Sequence, residues 1–464
     1  MQQVANVDEL ENKNIAKLLW QYALPAIVGT LVNSLYNVID RVFIGHWVGD
    51  DALAGLGLVL PIMNITAAVG MLVGAGSASR ISIYLGKKDK ETAEKIAGTS
   101  FLMTIIISGI VIGLLLLFLK PVLMYAGASE ATYPYARDFL VIFLPGNLFL
   151  SLCFNFNNMM RASGYPKKAM ITMLISVVAN IILAPIFIHY LGWGMKGAAA
   201  ATFIAMVIGF IFVMQHFLNP NSYIKLRWKN LRLNKKIVWS ITSIGMSPFL
   251  IQLTASVVVF FIIAQLKIFG GTDSHSSDMS IAAYTIANTM LMLIVMIVLG
   301  LTQGMQPIVG YNYGAKNYDR VKETLIYTIK VGTVITTFGF ILGFFFPQIF
   351  VSFFGPGPEL AEKSATALRL VVICFPLAGF QIVVTNFFQC IGKAGKSIFL
   401  SLTRQVLFLV PALYILPQHL GLKGIWLSMP VADALAVIVT FILFTFQVRS
   451  LKREADALTQ NPQS

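Results

Sequence analysis

Three cysteines in 464 residues exclude a disulfide framework. Cys153, Cys374 and Cys390 all fall within apolar segments, where a thiol packs as a small hydrophobe. Charge is scarce too: Asp, Glu, Lys and Arg make up 12% of the chain against 57% hydrophobic residues, about half the charged share of an ordinary soluble protein. The five histidines show no metal-ligand spacing. There is no His-Glu-x-x-His, Walker loop or nucleophile elbow, so the chain reads as a non-enzyme without catalytic residues, metal site or cofactor. Without an ATP-binding element, uphill work must draw on an ion gradient. Acids are the rarest charges, and the balance is +14. The basic residues lie in short loops, which points to membrane topology and away from nucleic acid.

Long apolar runs such as Phe101 to Leu119 and a mean hydropathy of +0.77 identify a polytopic membrane protein. The sequence predicts twelve spans, at 15–47, 52–83, 92–119, 131–160, 166–190, 195–218, 237–268, 279–311, 319–354, 361–391, 396–417 and 422–449. The polar stretch Met1 to Asn14 has no cleavage-site pattern, so the first span is expected to be retained. Even-numbered loops carry clusters such as Lys87, Lys88, Lys90 and Lys95, then Arg161, Lys167 and Lys168, whereas odd loops carry mostly single bases such as Lys120, Lys196 and Lys423. The positive-inside rule then puts the even loops and both termini in the cytoplasm.

The chain repeats itself. Gly76-Ser-Ala-Ser-Arg-Ile-Ser-Ile-Tyr-Leu-Gly86-Lys-Lys-Asp aligns with Gly304-Met-Gln-Pro-Ile-Val-Gly-Tyr-Asn-Tyr-Gly314-Ala-Lys-Asn. Gly164-Tyr-Pro-Lys-Lys168 aligns with Gly392-Lys-Ala-Gly-Lys396, Gly194-Met-Lys-Gly197 with Gly421-Leu-Lys-Gly424, and Pro25 with Pro248. Each half holds an even number of spans, so both enter the membrane the same way. The expected fold is an all-α polytopic membrane protein of twelve transmembrane helices in two six-helix lobes, related by a pseudo-two-fold along the membrane normal. The expected division is an N-terminal lobe at 1–218, a basic connector at 219–236, and a C-terminal lobe with a short tail at 237–464.

Polar residues inside the spans are few enough to weigh singly. On the first span Asn33, Asn37 and Asp40 share one helical face. An acid there either reaches interfacial water at the helix end or serves a hydrated site, and the stripe running two turns inward favours the second. Asn147, Ser151, Asn155 and Asn158 line one face of span four, while Ser176 and Asn180 lie one turn apart on span five. Thr202 follows the alanine run of span six, where close packing is an equally good explanation. Tyr36, Asn64, Gln252, Asn288, Gln381 and Asn386 complete a set of candidate cavity-lining residues. The C-terminal half has no counterpart of Asp40. It holds Arg404 and Asp433, at depths about 6 Å apart in an antiparallel hairpin, which suggests a structural ion pair.

Four segments together resemble the multidrug and toxic compound extrusion (MATE) family, and within it the staphylococcal-type multidrug exporters. They are Asp40-Arg-Val-Phe-Ile-Gly45, Arg161-Ala-Ser-Gly-Tyr-Pro-Lys-Lys168, Gln306-Pro-Ile-Val-Gly-Tyr-Asn-Tyr-Gly-Ala-Lys316 and Leu402-Thr-Arg-Gln405, in a match covering residues 12 to 450. The resemblance implies two lobes around a central cavity, in a multi-pass protein of the bacterial plasma membrane, monomeric, exporting amphipathic and often cationic drugs against inward H⁺ or Na⁺. It assigns the coupling role to Asp40, with Asn37, Asn180 and Thr202 around it. One departure matters. The family commonly reads Asn-Ile-Ile-Leu-Asp-Pro in span five, and this chain has Asn180-Ile-Ile-Leu-Ala184-Pro185. Hard cations need several oxygen ligands, whereas a lone acid can carry a proton once desolvation favours its neutral form. The expectation is therefore H⁺ coupling. The alternative, a lipid-linked oligosaccharide flippase on a related scaffold, would want a strongly cationic cavity, and the intramembrane basic inventory is thin.

Overall fold

Lipid offers the backbone no hydrogen-bond partners, so a spanning chain must satisfy its amides within each segment. The computed structural model describes residues 9–271, 274–355 and 357–460, without the side chains of 36–38, 50, 51, 53, 54, 274, 275 and 458–460. No strand occurs among the described residues. The helices are α1 (Ile15–Trp47), α2 (Asp50–Gly86), α3 (Lys90–Leu117), α4 (Tyr133–Ala162), α5 (Pro166–Pro185), α6 (Gly194–Leu218), α7 (Lys235–Phe269), α8 (Ser274–Gly314) and α9 (Tyr318–Phe345). The tenth, α10, is a bent pair, Pro358–Val371 and Phe375–Cys390, with 55° between its arms. Then α11 runs from Ala394–Leu402 through a π-helical turn to Val410–Leu420, and α12 is Leu422–Gln460. Among the described residues eleven helices are long and apolar enough to cross a membrane, or twelve if the bent pair is one span.

The expected third, ninth and tenth spans need adjusting. Residues 119 and 347–352 belong to the separate short helices Leu119–Tyr125 and Pro347–Ser352. The tenth span, expected as one helix over 361–391, breaks where Pro376 lacks the N–H that would continue the preceding turn.

Two compact units emerge, and they are not the two halves of the sequence. One contains residues 9–13 and Leu24–Phe249, the other Asn14–Ala23 together with residues 250–460. The chain thus changes unit beside Pro25 and again beside Pro248, the two prolines that the repeat pairs. The expected boundaries at 218 and 237 differ from this division because α1 and α7, at 33 and 35 residues, are about 50 Å long. Their first turns extend beyond a single bilayer's hydrocarbon and pack apart from the rest of each helix. In the first unit a Cβ at Gly76 would collide with the Ile241 carbonyl on α7. In the second a Cβ at Gly304, the repeat partner of Gly76, would lie 2.5 Å from the Ala23 backbone on α1. Each crossing is a helix start laid on a glycine.

The loop corners repeat as faithfully. Lys88 and Lys316 both take left-handed backbone, with φ 60° and 61°. Each closes a Schellman motif: Lys88 N–H bonds the Leu85 carbonyl at 3.0 Å and Asp89 N–H the Tyr84 carbonyl at 3.0 Å, while Lys316 bonds Tyr313 at 3.2 Å and Asn317 bonds Asn312 at 2.8 Å. Gly164 and Gly392 end α4 and α10 in the same way. Asp89 then caps α3, accepting the Thr92 N–H at 2.9 Å. The Thr92 hydrogen bonds hold its carboxyl below the usual carboxylate range.

Lys88→Gly and Lys316→Gly should each stabilise the protein by about 0.5–1 kcal/mol, read as a raised melting temperature in detergent, because a Cβ is unfavourable in left-handed backbone. Gly76→Ala and Gly304→Ala should each destabilise by about 1–3 kcal/mol through overpacking. Gly109→Ala on α3, where a Cβ meets nothing within 4 Å, should leave the melting temperature unchanged or raise it.

Candidate functional site

In the first unit Asp40 lies two turns from the end of α1 and is 7% exposed. Its Oδ1 is buried without a hydrogen-bond partner among the described residues. The side chains of Tyr36 and Asn37 lie outside those residues. Asn180 and Thr202 do meet: Asn180 Nδ2 donates to Thr202 Oγ1 at 3.0 Å, joining α5 to α6, and Thr202 Oγ1 donates to the Ala198 carbonyl at 3.0 Å. Both side chains are buried, and so is Ala184. Below them Pro185 interrupts α5, and the chain continues as a π-helical turn, Ile186–Tyr190. Proline removes one backbone donor there, and a π-turn accommodates the loss. Among the described residues no hydrogen bond runs directly from Asp40 to the Asn180–Thr202 pair.

Two members of the polar stripe of α4, Asn155 and Asn158, hydrogen-bond within the first unit. Asn155 accepts Ser77 Oγ at 2.8 Å and donates to Thr104 Oγ1 at 3.0 Å and to the Ser100 carbonyl at 3.3 Å. It is fully buried and ties α4 to α2 and α3. Asn158 accepts Arg161 Nη2 at 2.6 Å and donates to the Phe154 carbonyl at 2.8 Å. Their amides are therefore spent on neighbouring helices and turns, not on an open cavity. Arg161, read from the sequence as a loop base, is buried and also donates to Asn157 Oδ1 at 2.9 Å. Asn147 and Ser151 are buried as well, with Ser151 packed beside Gly70 of α2. Asn64 is half-buried and Asn33 exposed. Arg80 on α2 escaped the sequence reading. Its Nε is buried without a partner among the described residues, and a lone charge within an apolar helix was the available signal.

In the second unit the corresponding frame is apolar. The positions that the repeat pairs with Asn155, Ser77 and Thr104 are Val383, Met305 and Gly332, and a Cβ at Gly332 would sit 3.1 Å from Val383. Polarity gathers instead on the π-turn of α11, Thr403–Leu409. Arg404 Nε bonds Asp433 Oδ1 of α12 at 2.6 Å, and Gln405 accepts the Thr254 hydroxyl of α7. Asp433 is 5% exposed at its side chain and Arg404 35%. Gln381 is buried, with Oε1 unpartnered among the described residues. Gln252 and Asn288 are half-buried, and Asn386 donates to the Ile382 carbonyl of its own helix at 2.9 Å. No three His, Cys, Asp or Glu side chains among the described residues converge as metal ligands.

The ion pair is asymmetric in burial, which sets a testable order. Arg404→Met strands the buried Asp433 and should cost about 1–3 kcal/mol of stability. Asp433→Asn leaves an arginine that reaches solvent and should cost less. The joint Arg404→Met, Asp433→Leu replacement should melt above the Arg404→Met single variant.

The MatE family model matches residues 25–186 and 272–415. The multidrug export protein MepA of Staphylococcus aureus (strain MSSA476) is 27% identical over 433 residues, spanning 93% of this chain and 94% of that protein. A solved outward-facing conformation of a multidrug resistance MATE family transporter of the MOP superfamily superposes with a TM-score of 0.89 at 26% identity, covering 96% of this chain and 98% of that one. A MATE structure in the bent conformation gives 0.90 at 26% identity, over 97% and 99%. The family model covers most of the sequence, both solved structures share its helices nearly end to end, and the chain belongs to the MatE family of membrane transporters.

Proposed function

We propose that this protein is a secondary antiporter that exports amphipathic, often cationic small molecules in exchange for inward protons, with Asp40 as the coupling acid. The observation that carries the reading is the buried Asp40 oxygen that accepts no hydrogen bond among the described residues. A carboxylate held in that condition is costly, and binding a proton or a cation removes the cost. Ala184 favours the proton: where relatives commonly supply a second carboxylate, this chain offers a buried methyl group, and a Na⁺ site with one charged ligand fewer is a weak one.

The Asn180–Thr202 bond supports a positioning part for those two residues, since it keeps an amide and a hydroxyl fixed at the α5–α6 junction. The relatives named multidrug export proteins support drugs as the cargo. The 34 phenylalanines and 19 methionines would give the path adaptable apolar walls. In this reading the lobes alternate access across the plasma membrane, with both termini cytoplasmic.

Purified protein in liposomes, with a pH gradient and a Na⁺ gradient imposed separately, tests the proposal. Dye or drug movement is expected under the pH gradient and not under the Na⁺ gradient alone. Asp40→Asn should lower proton-driven transport by about tenfold or more, since a fixed neutral side chain cannot cycle a proton. Undiminished proton-driven efflux in that variant sinks the coupling role of Asp40.

A further inference from the structure

The connector at 219–236 carries six basic residues and no acid. It packs within the first unit and is pinned along its underside. Arg227 Nε meets Glu94 of α3 at 2.9 Å, and Thr99 Oγ1 donates to the Arg232 carbonyl at 2.9 Å. Gly98 lies so close to Asn230 that a Cβ there would collide with the Asn230 carbonyl. These contacts use one of the six charges and hold a 3₁₀ turn, Trp228–Asn230, in a single orientation. Asn230 faces inward, while Trp228 is 86% exposed.

The contact points fix the depth of this turn. On α3 the last charge before Lys120 is Lys95. Gly98 and Thr99 therefore stand on the first uncharged turn of α3, the level at which a spanning helix leaves the headgroups and enters hydrocarbon. A second marker agrees. Lys235 and Lys236 open α7, and Trp239, 76% exposed, follows within one turn. Exposed indoles at that level, rimmed by lysine and arginine, are what a bilayer interface accommodates: the ring lies among headgroups and the cations meet phosphate. A merely solvated basic loop gives no reason for a rigid turn to present an indole outward, and free phosphate would engage the cations without covering either ring.

We propose that the connector and the start of α7 form a binding surface for anionic phospholipid headgroups. Lys229, Arg232, Lys235 and Lys236 pair with the headgroup phosphates, and Trp228 and Trp239 lie in the interface between them. The surface anchors the connector edge of the first unit at one depth in the bilayer, independently of the cargo or coupling ion.

Lipid nanodiscs holding the full chain test this. Two sets are compared, phosphatidylcholine alone and phosphatidylcholine with about one third phosphatidylglycerol, both carrying bromine on the upper acyl carbons to quench nearby indoles. The difference between wild type and Trp228→Phe isolates the Trp228 signal. Quenching of that signal is expected to be several-fold greater with phosphatidylglycerol, and a Lys229→Glu, Arg232→Glu, Lys235→Glu, Lys236→Glu variant should lose the difference between lipids. These side chains are exposed, so thermal melting should be preserved in both variants. Adding inorganic phosphate should leave the quenching intact. The proposal is overturned by a Trp228 signal unquenched in both discs, by quenching indifferent to phosphatidylglycerol, or by loss of the effect on adding inorganic phosphate.

Discussion

Inside lipid, apolar side chains gain little by leaving one greasy surface for another, so helix association rests on close backbone approach and on a few internal polar bonds. The fold depends on that constraint throughout. Glycines stand where helices cross: Gly76 against Ile241, Gly304 against Ala23, and Gly197 with its Cβ position 2.6 Å from the Phe187 carbonyl. Gly424 meets Leu416 in the same way in the second unit. Where the first unit needs a stronger tie it uses an amide, and Asn155 joins three helices through two donated hydrogen bonds and one accepted.

The repeat supplies a frame, and the two copies fill it differently. Left-handed corners and glycine crossings recur at paired positions, since backbone geometry must recur for the helices to pack. Side chains within the frame are free to diverge. The first copy holds the buried Asp40 and the Asn155 network, while at the positions paired with that network the second holds Val383, Met305 and Gly332, and its buried acid, Asp433, is paired with Arg404 of a π-turn. Even a conserved contact can change hands. Asn157 donates its amide to the Ala169 carbonyl at 2.8 Å, and in the second unit Ser397 donates its hydroxyl to the Thr385 carbonyl at 3.1 Å. The paired positions touch in both copies, with donor and acceptor exchanged.

Much of this was legible in the sequence, for definable reasons. Helix number and the repeat follow from long apolar runs and glycine-marked corners, and the depths of Arg404 and Asp433 follow from helical rise. The face of the α4 stripe was equally plain. Its partners were not, because periodicity reveals which residues share a face and is silent about which helix covers it. The sequence alone thus leaves Asn155 and Asn158 as cavity candidates and Arg161 as a loop base, and only the packed helices reveal their partners. The left-handed corners at Lys88 and Lys316 were hidden for another reason: a lysine stands where glycine would have announced the turn. The exchange of the α1 and α7 starts had no local signature beyond the proline beside each passage.

That exchange also orders events during synthesis. Residues 14–23 are made long before the rest of their unit, which is the later part of α7 and the helices after it, while residues 235–249 complete a unit whose other helices are already made. The first unit can close as soon as α7 emerges. The start of α1 meets Gly304 only once α8 has been made. A ribosome stalled between the two would leave one finished unit trailing an unpaired helix end, a ready point of recognition for membrane quality control.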